Sequence, residues 1–211
     1  MATGITFKDE LRAAYDADAT RRITSAKKRS QWKLDARQQF SDLVKRENKK
    51  SILEIGAGAG LDAKFFQEEG LEVLATDLSP NMVAECKKIG LIAEVVDIYD
   101  LEKLEHRFDA IYSLNVLLHV PPEDLDKVLS TIHGRLNENG LFFYGVYGGT
   151  NKEETYTDPT RMNMPRYFSF LDDNTLVNCV SALFSVVKSD TIDIGDEQAG
   201  LHFQSLLLRK K

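Results

Sequence analysis

Cysteine is scarce in this 211-residue chain. Cys86 and Cys179 are the only two, far apart and without metal-ligand spacing. That argues against a disulfide framework or a zinc site and leaves two idle thiols. Long apolar runs are missing too, and no stretch approaches the ~20 residues that span a bilayer. The opening sequence MATGITFKDELRAAYD lacks the basic start and apolar core of a signal peptide. The expectation is a soluble, cytoplasmic protein. No internal repeat or low-complexity segment interrupts the chain. An excess of positive charge is absent as well. The net charge of −6 weighs against wholesale nucleic-acid binding.

The residues present, 43% hydrophobic and 28% charged, suit one compact domain with a small appendage. Charge is unevenly spread. Residues 21–50 carry eleven Lys/Arg against three Asp/Glu, a local balance of +8 that leaves −14 for the rest. The plain reading is a solvated basic helix against an acidic domain. The sharper one is a collar that attracts an anionic substrate. From about residue 6 to 47 the chain reads as helical. Trp32, Ala36, Phe40, Leu43 and Val44 share one face. Residues 1–48 are therefore expected to form a helical cap on a domain spanning 49–211.

Strands and helices then alternate. Strands are expected at 51–55, 71–76, 92–96, 108–114 and 141–146, with helices at 61–69, 79–88 and 122–136 between them. Ser79-Pro80 is a helix start, with a capping hydroxyl and a proline at the first helical position. Continuous apolar strands separated by helices predict an α/β, doubly wound, open parallel sheet. The ending departs from that alternation. A helix at 172–183 precedes strands at 184–194 and 201–209, whose connection is too short for a crossover. They must pair antiparallel. Residues 148–168, GGTNKEETYTDPTRMNMPRYF, show no clear periodicity. They read as a lid-like loop leaving the carboxyl end of a strand.

The stretch LEIGAGAG, residues 53–60, places glycines at 56, 58 and 60, where the first strand turns into the first helix. Backbone without Cβ atoms lets a ligand lie close, beside the unpaired N–H groups of the helix start. Asp77 ends the second strand, where an acid can accept from both ribose hydroxyls. Asp97 ends the third and can accept from an exocyclic amine of adenine. Each acid alone is equally a turn residue. Their recurrence at successive strand ends favours a nucleotide-like ligand. The glycine spacing departs from G-x-G-x-x-G. Glu54 would repel a pyrophosphate but tolerate an ammonium and a sulfonium. The choice tips from a dinucleotide to S-adenosylmethionine.

These residues resemble the class I S-adenosylmethionine-dependent methyltransferase family, over roughly residues 51–146. LEIGAGAG is similar to its first motif, E-x-G-x-G-x-G, with Glu54, Gly56, Ala57, Gly58 and Gly60. ATDLSPNMV resembles the second, which implies Asp77 on the ribose with Leu78 and Met82 flanking the adenosine. VVDIYDL resembles the adenine motif, with Asp97 toward the amine and Ile98 against the ring. FDAIYSLNVLLHV resembles the fourth, which implies Ser113, Leu114 and Asn115 beside the methionine portion. The resemblance also implies a Rossmann-like sheet of order 3-2-1-4-5-7-6 with strand 7 antiparallel. The fourth motif lacks the Asn/Asp-Pro-Pro-aromatic tetrad of the amino-methylating nucleic-acid enzymes and looks more like the small-molecule members.

Methyl transfer is an in-line displacement that needs alignment and exclusion of water, and a base only where the nucleophile sheds a proton. His119 is the candidate base, equally readable as a structural histidine, and Tyr147 faces the expected acceptor side. Tyr156, Arg161, Arg166 and Tyr167 are acceptor-binding candidates in or beside the lid. Tyr15, Arg29 and Trp32 are expected near the site if the N-terminal helix covers it, with Trp32 better read as a hydrophobic anchor. No metal is expected. The expected function is methylation of a small molecule. The alternatives are a nucleic-acid methyltransferase using the basic 21–50 stretch, a non-catalytic S-adenosylmethionine-binding protein, and, further off, a nicotinamide oxidoreductase.

Overall fold

The computed structural model describes residues 7–25, 30–157, 164–194 and 200–211. Two helices open the chain, α1 at Phe7–Ser25 and α2 at Gln31–Arg46, where the sequence reads as one long helical stretch. The alternation follows: β1 Ser51–Ile55, α3 Leu61–Glu68, β2 Glu72–Asp77, α4 Pro80–Lys88, β3 Ile92–Val95 and β4 Phe108–Leu114. After it come α5 Pro122–Gly134, β5 Leu136–Gly148, β6 Lys152–Thr157, β7 Pro165–Phe170, α6 Asp173–Ser181, β8 Phe184–Ile192 and β9 His202–Lys210.

Local chemistry explains several boundaries. The Ser79 hydroxyl accepts the Met82 N–H and Pro80 takes the first helical place, so α4 starts there. Asp172 caps α6 by accepting the Thr175 N–H at 2.7 Å. Asp97 starts a short 3₁₀ turn, accepting from Tyr99 N–H.

Seven strands form one sheet in the order β3-β2-β1-β4-β5-β9-β8. β1 to β5 run parallel, and β9 lies antiparallel between β5 and β8. This is the expected 3-2-1-4-5-7-6 order, because β8 and β9 are the sheet's sixth and seventh strands. Alternate residues feed two cores. Leu53, Ile111 and Phe142 face the side covered by α5 and α6, and Ile52, Ala110 and Phe143 the side covered by α2, α3 and α4. Phe40 of α2 sits among Phe66, Tyr112 and Phe143, with ring centroids 5.6–6.1 Å away. Burying such a ring contributes about 1.5–3 kcal/mol.

The stretch 148–168, expected as a lid-like loop without clear periodicity, contains two strands among its described residues. β5 runs on to Gly148, and β6 pairs antiparallel with β7, from Lys152↔Phe170 to Thr157↔Pro165. The pattern was hidden because β6, KEETYT, is polar on both faces and exposed along most of its length. Arg161 lies outside the described residues, as does Arg29.

Candidate functional site

A cavity of about 500 Å³ opens at the carboxyl ends of β1 to β4. That volume lies within the ordinary range of small-molecule sites, roughly 300–1,000 Å³. Its floor is the turn after β1. Gly56, Gly58 and Gly60 all have positive φ there, but their surroundings differ. A Cβ on Gly56 would strike Val116, and one on Gly60 would meet Leu91 at 2.7 Å and Cys86 at 2.9 Å. A Cβ on Gly58 would meet no atom of the described residues within 4 Å. Gly60 does not line the cavity; it lets α3 close onto α4. Gly58 is where the backbone lies open to a ligand.

Acids surround this floor. Asp77 Oδ2 accepts the Gly58 N–H at 2.8 Å and Oδ1 the Ser79 N–H at 2.9 Å. A carboxylate oxygen can accept more than one hydrogen bond. Asp97 Oδ1 accepts from Tyr99 N–H at 3.0 Å, while Oδ2 lies 3.3 Å from Lys8 Nζ of α1. Lys8 also stands 4.2 Å from the centre of the Tyr99 ring. Glu54 and Asp62 line the wall, and Asp62 pairs with Arg37 of α2 at 3.1 Å. Cys86 touches the loop from behind, its thiol donating to Gly58 O at 3.3 Å. Burial, reinforced by the nearby Glu54 and Asp77 charges, pushes that thiol up to about 12, so it stays protonated.

Asn115 leaves β4 with φ +58°, its N–H donating to Gly145 O at 2.7 Å. Its buried Oδ1 has no hydrogen-bond partner among the described residues, and its residue lines the cavity. Leu114, Ala57, Leu78, Met82 and Ile98 line it too. Ser113 does not, lying fully buried inside the strand one position earlier.

The opposite wall is assembled from distant segments. His119, 7% exposed, stands just beyond β4. Its Nδ1 is 2.7 Å from the Tyr167 carbonyl oxygen and its Nε2 2.7 Å from Tyr15 Oη. A carbonyl only accepts, so the Nδ1 bears the proton. In the neutral ring Nε2 then keeps its lone pair and accepts from the Tyr15 hydroxyl. Lys33 of α2 donates to Tyr147 Oη at 3.1 Å, with its ammonium 5.0 Å from the Trp32 ring centre. Arg166 and Phe168 of β7 complete this wall.

Residues 25–183 match the model of a family described as a methyltransferase domain. The chain belongs to that family. The phosphoethanolamine N-methyltransferase of Plasmodium falciparum is 32% identical to this methyltransferase-family chain over 120 residues, 54% of the chain and 45% of that protein. The ubiquinone biosynthesis O-methyltransferase of Coxiella burnetii is 26% identical over 114 residues, 51% and 48% of the two chains. The chain thus spans about half the length of these curated relatives. A solved structure, the 1,6-didemethyltoxoflavin-N1-methyltransferase of Burkholderia thailandensis, superposes with a TM-score of 0.66 at 23% identity. The match covers 100% of this chain and 93% of that one, and shows the shared class I methyltransferase fold.

Among the acceptor candidates, the methyltransferase-family fold brings Tyr15, His119, Tyr147 and Arg166 to one cavity. Tyr156 points away and is 49% exposed. The Tyr167 side chain also leaves the site, donating to Glu153 at 2.5 Å, and only its carbonyl serves it. Trp32 packs on Phe203 at 4.2 Å, as an anchor. Sequence reasoning missed Phe7, Lys8 and Lys33, which line the cavity. Nothing in a helix-bound lysine distinguishes it from a solvated one before the fold is known. Among the described residues, no cluster of three or more His, Cys, Asp or Glu could hold a metal. No described helix is long and apolar enough to cross a membrane.

Proposed function

We propose that this chain transfers a methyl group from S-adenosylmethionine to a nitrogen or oxygen of a small molecule. The observation that carries the reading is one cavity joining an acidic, glycine-floored half to a half bearing the Tyr15–His119 pair. The open backbone at Gly58, the Asp77 carboxylate and the Asn115 Oδ1, unpartnered among the described residues, suit a hydroxyl-rich, ammonium-bearing ligand. Glu54, Gly56, Ala57 and Gly58 would hold its amino-acid portion. Asp77, Leu78 and Met82 would hold the ribose side, Asp97 and Ile98 the adenine, and Leu114 and Asn115 the region of the sulfur. S-adenosylmethionine supplies a methyl carbon already activated by its sulfonium.

The chain's own residues must then orient the acceptor, exclude water and take its proton. An acceptor N–H or O–H bonded to Tyr15 Oη passes its proton to that oxygen as Tyr15's own proton moves to His119 Nε2. The imidazolium so formed keeps its Nδ1–H on the Tyr167 carbonyl. Residues of α1 and β7 line this half.

A nucleic-acid substrate fits less well. Arg37 and Lys45 of the basic stretch pair with Asp62 and Glu69 of α3 and its end, and Lys33 faces the cavity. The two free thiols suit a reducing compartment such as the cytoplasm. Isothermal titration tests the reading. S-adenosylhomocysteine is expected to bind and NAD not; the reverse result overturns it.

A further inference from the structure

We infer that the acceptor of this reaction carries an anionic group, a carboxylate or a phosphate, held by Lys33 and Tyr147. The inference rests on the acceptor half assigned above and names the chemistry it takes.

Charge is segregated along the cavity. Its four carboxylates, Glu54, Asp62, Asp77 and Asp97, all come from β1, α3, β2 and the end of β3. Two of them have cations at hand, Asp97 with Lys8 and Asp62 with Arg37. Among the described residues, the lining from α2, β5 and β7 includes no carboxylate, yet it holds Lys33.

Lys33 has no carboxylate within ion-pair distance among the described residues. Its ammonium spends one of three donors on Tyr147 Oη and lies within 5.4 Å of the Trp32 and Tyr147 ring centres. Because Tyr147 accepts from Lys33, its own hydroxyl proton is left to donate. Ser30, at the start of α2, also lines the cavity, and the first turn of that helix holds no acid. Its partial positive end therefore adds to the same field. An ammonium, a phenol proton and a helix start facing one cavity select for negative charge and repel a cationic group.

The test titrates the protein saturated with S-adenosylhomocysteine, at constant ionic strength, with inorganic phosphate in one arm and acetate in the other. At least one anion is expected to bind, and the stronger arm identifies the group. Lys33→Met is expected to weaken that binding about tenfold or more, the loss of a hydrogen-bonded charge. Lys33→Arg should restore most of it, and Tyr147→Phe should weaken it less. S-adenosylhomocysteine affinity should stay within about twofold in all three variants, which reports an intact fold. No anion binding by the loaded wild type overturns the inference, as does Lys33→Met binding as tightly as wild type while Tyr147→Phe is also unchanged. If S-adenosylhomocysteine itself fails to bind the wild type, the cofactor reading falls and this inference falls with it.

Discussion

The two halves of the cavity were built by different rules. The acidic half comes from consecutive strand ends between Glu54 and Val116, each element delivering its residue within a few positions of a turn. The opposite half joins partners 104 residues apart in Tyr15–His119 and 114 apart in Lys33–Tyr147. Local geometry makes the first half, and long-range packing makes the second. A fold can therefore keep one ligand chemistry fixed while the other is remodelled by changing α1, α2 or the β6–β7 hairpin.

The sharpest way to separate the halves is to remove the proton acceptor. His119→Asn or Tyr15→Phe should lower turnover by about 10²–10⁴-fold. S-adenosylhomocysteine affinity, read by titration, should barely change. An equal loss of both would erase the distinction. The converse variant is Asp77→Asn, which disturbs the bonds to Gly58 and Ser79. It should weaken S-adenosylhomocysteine about 10–100-fold while leaving anion binding in the other half nearer to wild type.

A glycine pair divides the first half further. Gly60→Ala forces a Cβ against Leu91 and Cys86 in left-handed backbone, and should cost about 1–3 kcal/mol of stability in thermal or urea unfolding. Gly58→Ala meets no atom of the described residues. It should cost about 1–2 kcal/mol from backbone strain alone, with cofactor affinity as the larger casualty. The smallest effect expected is acid sensitivity. Arg209 donates to Glu47 at 2.6 and 2.9 Å and holds that carboxyl below its usual range, tying the end of α2 to β9. A lowered folded value means stability present above the ordinary carboxylate range and lost as pH falls through the folded value. Urea midpoints measured from pH 6 down to 3 should fall less steeply in Glu47→Gln than in wild type.

The sheet order and the acidic half were legible because their signals are short-range: apolar runs of strand length, a glycine turn and acids at strand ends. Even there Gly60 and Ser113 fall behind the lining, since a motif does not say which of its members faces the ligand. The acceptor half was mostly illegible. β6 has no apolar face to announce it, Lys33 looks like any helix-surface lysine, and Tyr167 contributes a carbonyl that no side-chain argument could find. His119 was readable as a candidate, but its role depends on Tyr15, a residue brought to it only by the docking of α1.

That docking has a further consequence. Lys8 meets Asp97, Tyr15 meets His119, and Asp16 bonds Ser79 and Asn81, all from one helix. Eight residues of helix are a rod of about 12 Å, long enough to lie across both guests at once. Both halves therefore share one wall, and any coupling that this helix carries between two ligands must be reciprocal, each changing the other's affinity by the same factor.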